Sequence, residues 1–70
     1  MVEKTIELTA TSTSSIEEAV GMAVTRASAT IKGVRQADVV HVTALVEDGE
    51  VSAWRVKVNV TFAVQDQVHE

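Results

Sequence analysis

The 70-residue sequence contains no cysteine, two histidines and two aromatic residues, Trp54 and Phe62. A chain this short buries too little apolar surface for its own core to stabilise it comfortably. Disulfides cannot supply the difference. His41 and His69 are the only imidazoles and do not stand at metal-ligand spacing, so structural zinc is a poor candidate too. Self-association is the remaining support. No run approaches the roughly 20 apolar residues that cross a bilayer, and Met1-Val2-Glu3-Lys4 lacks a signal peptide's apolar segment. A cytoplasmic protein without a membrane partner is therefore expected, and the absence of cysteine fits a reducing compartment.

Cations are also scarce: six Lys and Arg stand against ten Asp and Glu, for a net charge of -4. Binding to nucleic acid is driven by clustered Lys and Arg, so no nucleic-acid partner is expected. Gly21, Gly33 and Gly49 are isolated, which excludes a glycine-rich phosphate loop. Ser and Thr are abundant, but none has an evident histidine partner to activate it as a nucleophile. No pair of carboxylates stands out for acid–base chemistry, and enzymatic activity is not expected.

What the sequence does have is valine in alternation. From Glu3 to Ala10, Lys4, Ile6, Leu8 and Ala10 share one side while Glu3, Thr5, Glu7 and Thr9 share the other, the pattern of a half-buried strand. The hydroxyl run Thr11 to Ser15 then offers a helix cap, with capping-box spacing at Ser14 and Glu17 or at Ser15 and Glu18. Ile16, Ala19, Val20, Ala23, Ala27 and Ile31 form one stripe on a helix of about four turns. Arg26 and Lys32 suit the negative end of its dipole, and Gly33 is expected to stop it.

Two valine-rich segments, Val34 to Val46 and Val51 to Val64, flank Glu47-Asp48-Gly49-Glu50, a strong hairpin signal. With Asp48-Gly49 as the turn, an uninterrupted register sets Arg55 opposite Val42, Lys57 opposite Val40, Asn59 opposite Asp38 and Thr61 opposite Gln36. Cross-strand partners share a face, so these eight residues form a mixed surface away from the helix, the expected functional surface. The opposite parity, with Trp54, Val56, Val58, Val60 and Phe62, packs on the helix, and His41 is expected there as a hydrogen-bonded structural histidine. The residues after Val64 are polar and expected to be loose. No linker or repeat interrupts the pattern, which predicts a single α+β domain over residues 1–70.

The order strand, Thr11-Ser12, Ile16-Glu17-Glu18-Ala19, Arg26-Ala27, Asp38-Val39-Val40, Glu50-Val51 and Trp54-Arg55-Val56-Lys57-Val58 resembles the dodecin family over nearly the whole chain. The resemblance implies a β-α-β-β protomer whose three-stranded antiparallel sheet wraps around one helix, twelve copies forming a hollow homododecamer. It implies binding and storage of a small ligand, by family default riboflavin or FMN. In flavin-binding members an aromatic residue, usually tryptophan, on the second strand stacks on the flavin ring, and a glutamine on the third bonds the ring's polar edge. Those positions fall here at Gln36 and Arg55, and with Asp38 they are the ligand-binding residues the resemblance implies. An amide cannot stack as an indole does, where such contacts contribute about 1 to 3 kcal/mol. Trp54 has the wrong parity to replace it.

The chain looks closer to the dodecin branch that lacks the stacking tryptophan and carries arginine on the third strand, which includes members described as binding calcium. Calcium needs six to eight oxygen ligands. Glu17-Glu18 and the group Glu47, Asp48 and Glu50 could contribute where symmetry gathers copies, although helix capping and a solvated hairpin also account for them. Arg55 could take a phosphate or carboxylate through its planar fork of donors, or pair with Asp38 or with a neighbouring subunit.

Overall fold

The computed structural model describes residues 1–64. The expectations for the polar tail and for His69 fall outside them. Four elements follow in order: β1 (Glu3–Ser12), α1 (Ile16–Thr30), β2 (Val34–Glu47) and β3 (Glu50–Ala63). They form one antiparallel sheet of order β1-β3-β2, with β3 paired on both sides and α1 across one face. The β-α-β-β order and the three-stranded antiparallel sheet are those expected from the sequence.

Ser15 caps α1 with its hydroxyl, which accepts a hydrogen bond from the Glu18 backbone N–H at 2.9 Å. Of the two capping-box spacings, the Ser15–Glu18 pair is the one used, with a modification. The Glu18 carboxylate turns to the hydroxyl of buried Ser12, which itself accepts from the N–H groups of Ser14 (2.9 Å) and Ser15 (3.3 Å). Ser12 thus ties the end of β1 to the start of the helix. At the other end the expectation needs correction. The helix closes at Thr30 with Ile31 extended, its last turn holds no cation, and Gly33 lies beyond the cap. Gly33 has φ +79° and begins the turn into β2, where its carbonyl accepts from the Ala63 N–H at 3.1 Å.

Ala19, Ala23 and Ala27 bring α1 close to the sheet, against fully buried Val56, Val58 and Val60 of β3. Ile6, Leu8 and Ala10 of β1 and Val34 and Ala37 of β2 pack around this cluster. Among the described residues no buried side chain is larger than valine, so the core is thin. Trp54 lies on the helix-facing parity, opposite Ser12 and Ala44, but it is only half-buried and stands beyond the core cluster.

The hairpin turns at Asp48 (φ 53°) and Gly49 (φ 79°), two left-handed residues in succession that match the twist of the flanking strands. Its register is not the uninterrupted one. Ser52 is an extra residue on β3, and Val40 and Arg35 are extra residues on β2. The Ser52 hydroxyl donates to the Leu45 carbonyl at 3.2 Å, holding the first of these bulges. Asn59 still faces Asp38 and Thr61 still faces Gln36, but between the bulges Arg55 faces Thr43 and Lys57 faces His41. Two expectations are thereby overturned: Val42 faces Val56 on the helix side, and His41 joins the surface away from the helix. A bulge shifts pairing by one residue, and one residue reverses every side chain's face.

Candidate functional site

Reading across β1, β3 and β2 on the side away from α1, successive rows are Thr5–Thr61–Gln36, Glu7–Asn59–Asp38, Thr9–Lys57–His41 and Thr11–Arg55–Thr43. All twelve residues are polar. Over these four rows the sheet is apolar under the helix and continuously polar on the other side, as the alternation in β1 and β3 dictates, and the next pair on the polar side, Leu45–Ala53, is apolar.

The three expected ligand residues lie on this surface at different places. Gln36 donates its amide N–H to the Asp38 carboxylate at 3.0 Å, and Thr5 and Thr61 join hydroxyls beside them at 3.0 Å. Arg55 stands six positions along β3 from the Gln36 row, roughly 20 Å of strand at about 3.4 Å per residue. Gln36 and Asp38 are thus brought together, and Arg55 is held apart from both within one protomer. The Arg55 and Asp38 rows stand four positions, roughly 14 Å, apart along β3, which favours an ion pair between copies over one within the protomer.

Arg55 belongs instead to a basin of about 250 Å³ lined by Thr9, His41, Thr43, Arg55 and Lys57. Lys57 was expected on the same face as Arg55, but His41 was not. Lys57 had the right parity in the sequence, but His41 reaches the basin only because Val40 bulges. A wider, more open groove of about 610 Å³ runs along α1, lined by Glu18, Gly21, Met22, Thr25, Arg26 and Ala29. It is larger, but largely apolar, and it lacks the convergent donors of the sheet basin. Among the described residues no three His, Asp or Glu side chains gather to hold a metal ion.

A family model described as Dodecin matches residues 2–65. The chain belongs to the dodecin family. Solved structures agree. The dodecin from Streptomyces coelicolor is 32% identical at TM-score 0.86, with 94% of each chain covered. The dodecin from Streptomyces davaonensis is 25% identical at TM-score 0.85, over 93% of this chain and 96% of that one. An arginine-to-alanine variant of the Thermus thermophilus dodecin is 27% identical at TM-score 0.88, over 94% and 97% respectively. No curated protein matches the chain.

Membership assigns this dodecin, in general terms, to small-ligand binding and storage. Its polar face carries no aromatic ring to stack on a flavin. The only two aromatics, Trp54 and Phe62, share the parity of buried Val56, Val58 and Val60 and face the helix side. Gln36 has its amide engaged by Asp38.

Proposed function

We propose that this dodecin assembles as a hollow homododecamer and sequesters a small ligand on the polar faces of its sheets. Gln36 and Asp38 of one copy and Arg55 of another bound the ligand site. The observation that carries this reading is the four-row polar face, set back to back with an apolar face that the single helix covers only in part. Val39 and Val42 lie on the helix-facing side of β2, yet remain 45% and 43% exposed. Neighbouring copies cover these valines and close the sheets around an interior, with no catalytic step. The compartment is the cytoplasm and the partners are further copies of the chain.

FMN and riboflavin are the ligands to test first, with affinity reduced because Gln36 offers no stacking surface. Calcium would have to draw its oxygen ligands from several copies. The test is a fluorescence titration of both flavins with purified protein, with and without calcium, alongside native mass spectrometry of the assembly. Saturable quenching identifies flavin storage. Gln36→Trp is expected to raise flavin affinity at least about tenfold, as an added stacking contact would. Failure of Gln36→Trp to improve binding would overturn the placement of the site at Gln36, and a monomer by mass would overturn the shell.

A further inference from the structure

Two exposed surfaces of the protomer match each other. The first is the stretch of β2 that α1 leaves bare, where Val39 and Val42 lie on the helix-facing side beside fully buried Val58 and Val56. The second is the groove of about 610 Å³ on the outer side of α1. Met22 lines it with an exposed apolar side chain, and Gly21, Thr25 and Ala29 keep its floor low. Apart from the helix's own backbone, no atom lies within 4 Å of a Cβ placed at Gly21. The inner side of α1 already shows how such surfaces fit. There Ala19, Ala23 and Ala27, one small side chain per turn, set the helix on the valines of β3. Gly21, Thr25 and Ala29 repeat that spacing roughly half a turn around the helix axis. This outer side faces away from its own sheet, so the valines it can reach belong to another copy. The groove runs from Glu18 to Ala29, roughly 17 Å of helix, and the Val39–Val42 stretch of roughly 10 Å fits within it.

Charge gives the pairing a direction. The chain enters β2 through exposed Lys32 and Arg35 and leaves it at exposed Glu47 and Asp48, whereas α1 begins with Glu17 and Glu18 and carries Arg26 further along. With a neighbour's α1 laid parallel to β2, each charged end lies toward its opposite. Laid antiparallel, each lies toward its like. We infer that Val39 and Val42 of one copy seat in the α1 groove of a neighbouring copy, against Met22, with that helix parallel to β2. This rests on the reading that neighbouring copies cover these valines, and it names the surface that covers them. Because the two surfaces differ, every copy offers both, and the contact passes from copy to copy until a ring closes. A contact of like with like ends at a dimer, so a shell of many copies needs one of the first kind.

The chain has no cysteine, so introduced thiols report contacts without background. The experiment treats the assembled full chain with a short bismaleimide in three forms: Met22→Cys, Val42→Cys, and both substitutions together. The double variant is expected to give a ladder of three or more linked chains on a denaturing gel, with 22-to-42 linkages in its peptides, and the single variants none. The pair Thr25→Cys and Val39→Cys, at exposed positions of the same two surfaces, repeats the test should Val42→Cys loosen the assembly. Linked pairs from Met22→Cys alone would set two α1 grooves against each other and overturn the contact. An assembly of unchanged mass with no ladder from either pair would overturn the contact and leave the shell standing, whereas a monomeric parent would end both. Direction is read from dilution. Arg26→Glu is expected to raise the concentration of half-dissociation about three- to fivefold, and Glu47→Lys in the same chain to restore most of it. An unchanged or lower concentration with Arg26→Glu would overturn the parallel arrangement.

Discussion

Ser12 shows how much a single hydroxyl can organise. It is buried, donates to the Glu18 carboxylate, and accepts from the backbone N–H groups of Ser14 and Ser15 at the entry to α1. Ser12→Ala removes this hydroxyl in a place water reaches poorly, and is expected to lower stability by about 1 to 2 kcal/mol. Thr13→Ala, at an exposed position in the same run, should change it by less than about 0.5 kcal/mol. Urea denaturation at one fixed protomer concentration compares the two, because the apparent stability of an oligomer depends on concentration. Equal losses would remove Ser12 from its role as the tie between β1 and α1. The cap's existence was legible in the run Thr11 to Ser15, since several hydroxyls followed by glutamate imply one. Which serine takes which amide was not, because Ser12 acts from within the strand and at no standard capping distance.

Along whole strands, what alternation can reveal is bounded by where it is ambiguous. β1 and the second half of β3 alternate cleanly, and their faces are those that parity predicts. The hairpin turn was equally legible, because Asp48-Gly49 accepts two left-handed residues. The faces of residues 41 and 42 were not. Val39-Val40 is a pair of identical side chains in which a bulge leaves no mark on the hydrophobic pattern, and the Ser52 bulge restores the register near the turn. Two compensating shifts therefore move His41 and Val42 to opposite faces while the pairs on either side, Asp38–Asn59 and Glu47–Glu50, stay as counted. The basin around Arg55 was half legible for the same reason. Lys57 follows from parity, and His41 requires the bulge. A pair of deletions separates the two kinds of position. Removing Val40 deletes the extra residue and leaves a regular ladder on either side, so the protomer should keep its circular dichroism and lose no more than about 1 kcal/mol. Removing Thr43, which is paired with Arg55, forces the residues to one side of it onto the wrong face and should cost more than about 2 kcal/mol or abolish soluble expression. Equal tolerance of both deletions would contradict the register.

At the scale of the whole molecule the protomer is too extended for its length. Its radius of gyration is 15.0 Å and its extents are 61 × 19 × 12 Å, whereas a compact domain of this size has a radius near 11 Å. The excess is the β2–β3 hairpin, which runs on past the helix, with Val46 and Val51 at its far end 63% and 51% exposed. The shortage of core was legible in the chain length and in the lack of cysteine. The way it is met was not, since a strand's valines look alike in sequence whether a helix or another copy covers them. The proposed shell covers Val39 and Val42, next to buried Val58 and Val56 and beyond the reach of α1. This separates the energetics of the protomer from those of the assembly. A carboxylate at position 42 of an isolated protomer would stay largely in water and cost little, but in an interface between copies it would be an unpaired buried charge. Val42→Asp is therefore expected to lower the mass measured by light scattering to half or less of the parent assembly. It should also make thermal unfolding begin at a lower temperature, because a thin core then stands alone. Val51→Asp serves as the reference: it places the same charge near the hairpin tip, where a smaller loss is expected if contacts concentrate on the Val39–Val42 stretch. An unchanged mass for Val42→Asp would show that these valines remain open to solvent in the native protein, and the shell would need another surface to hold it together.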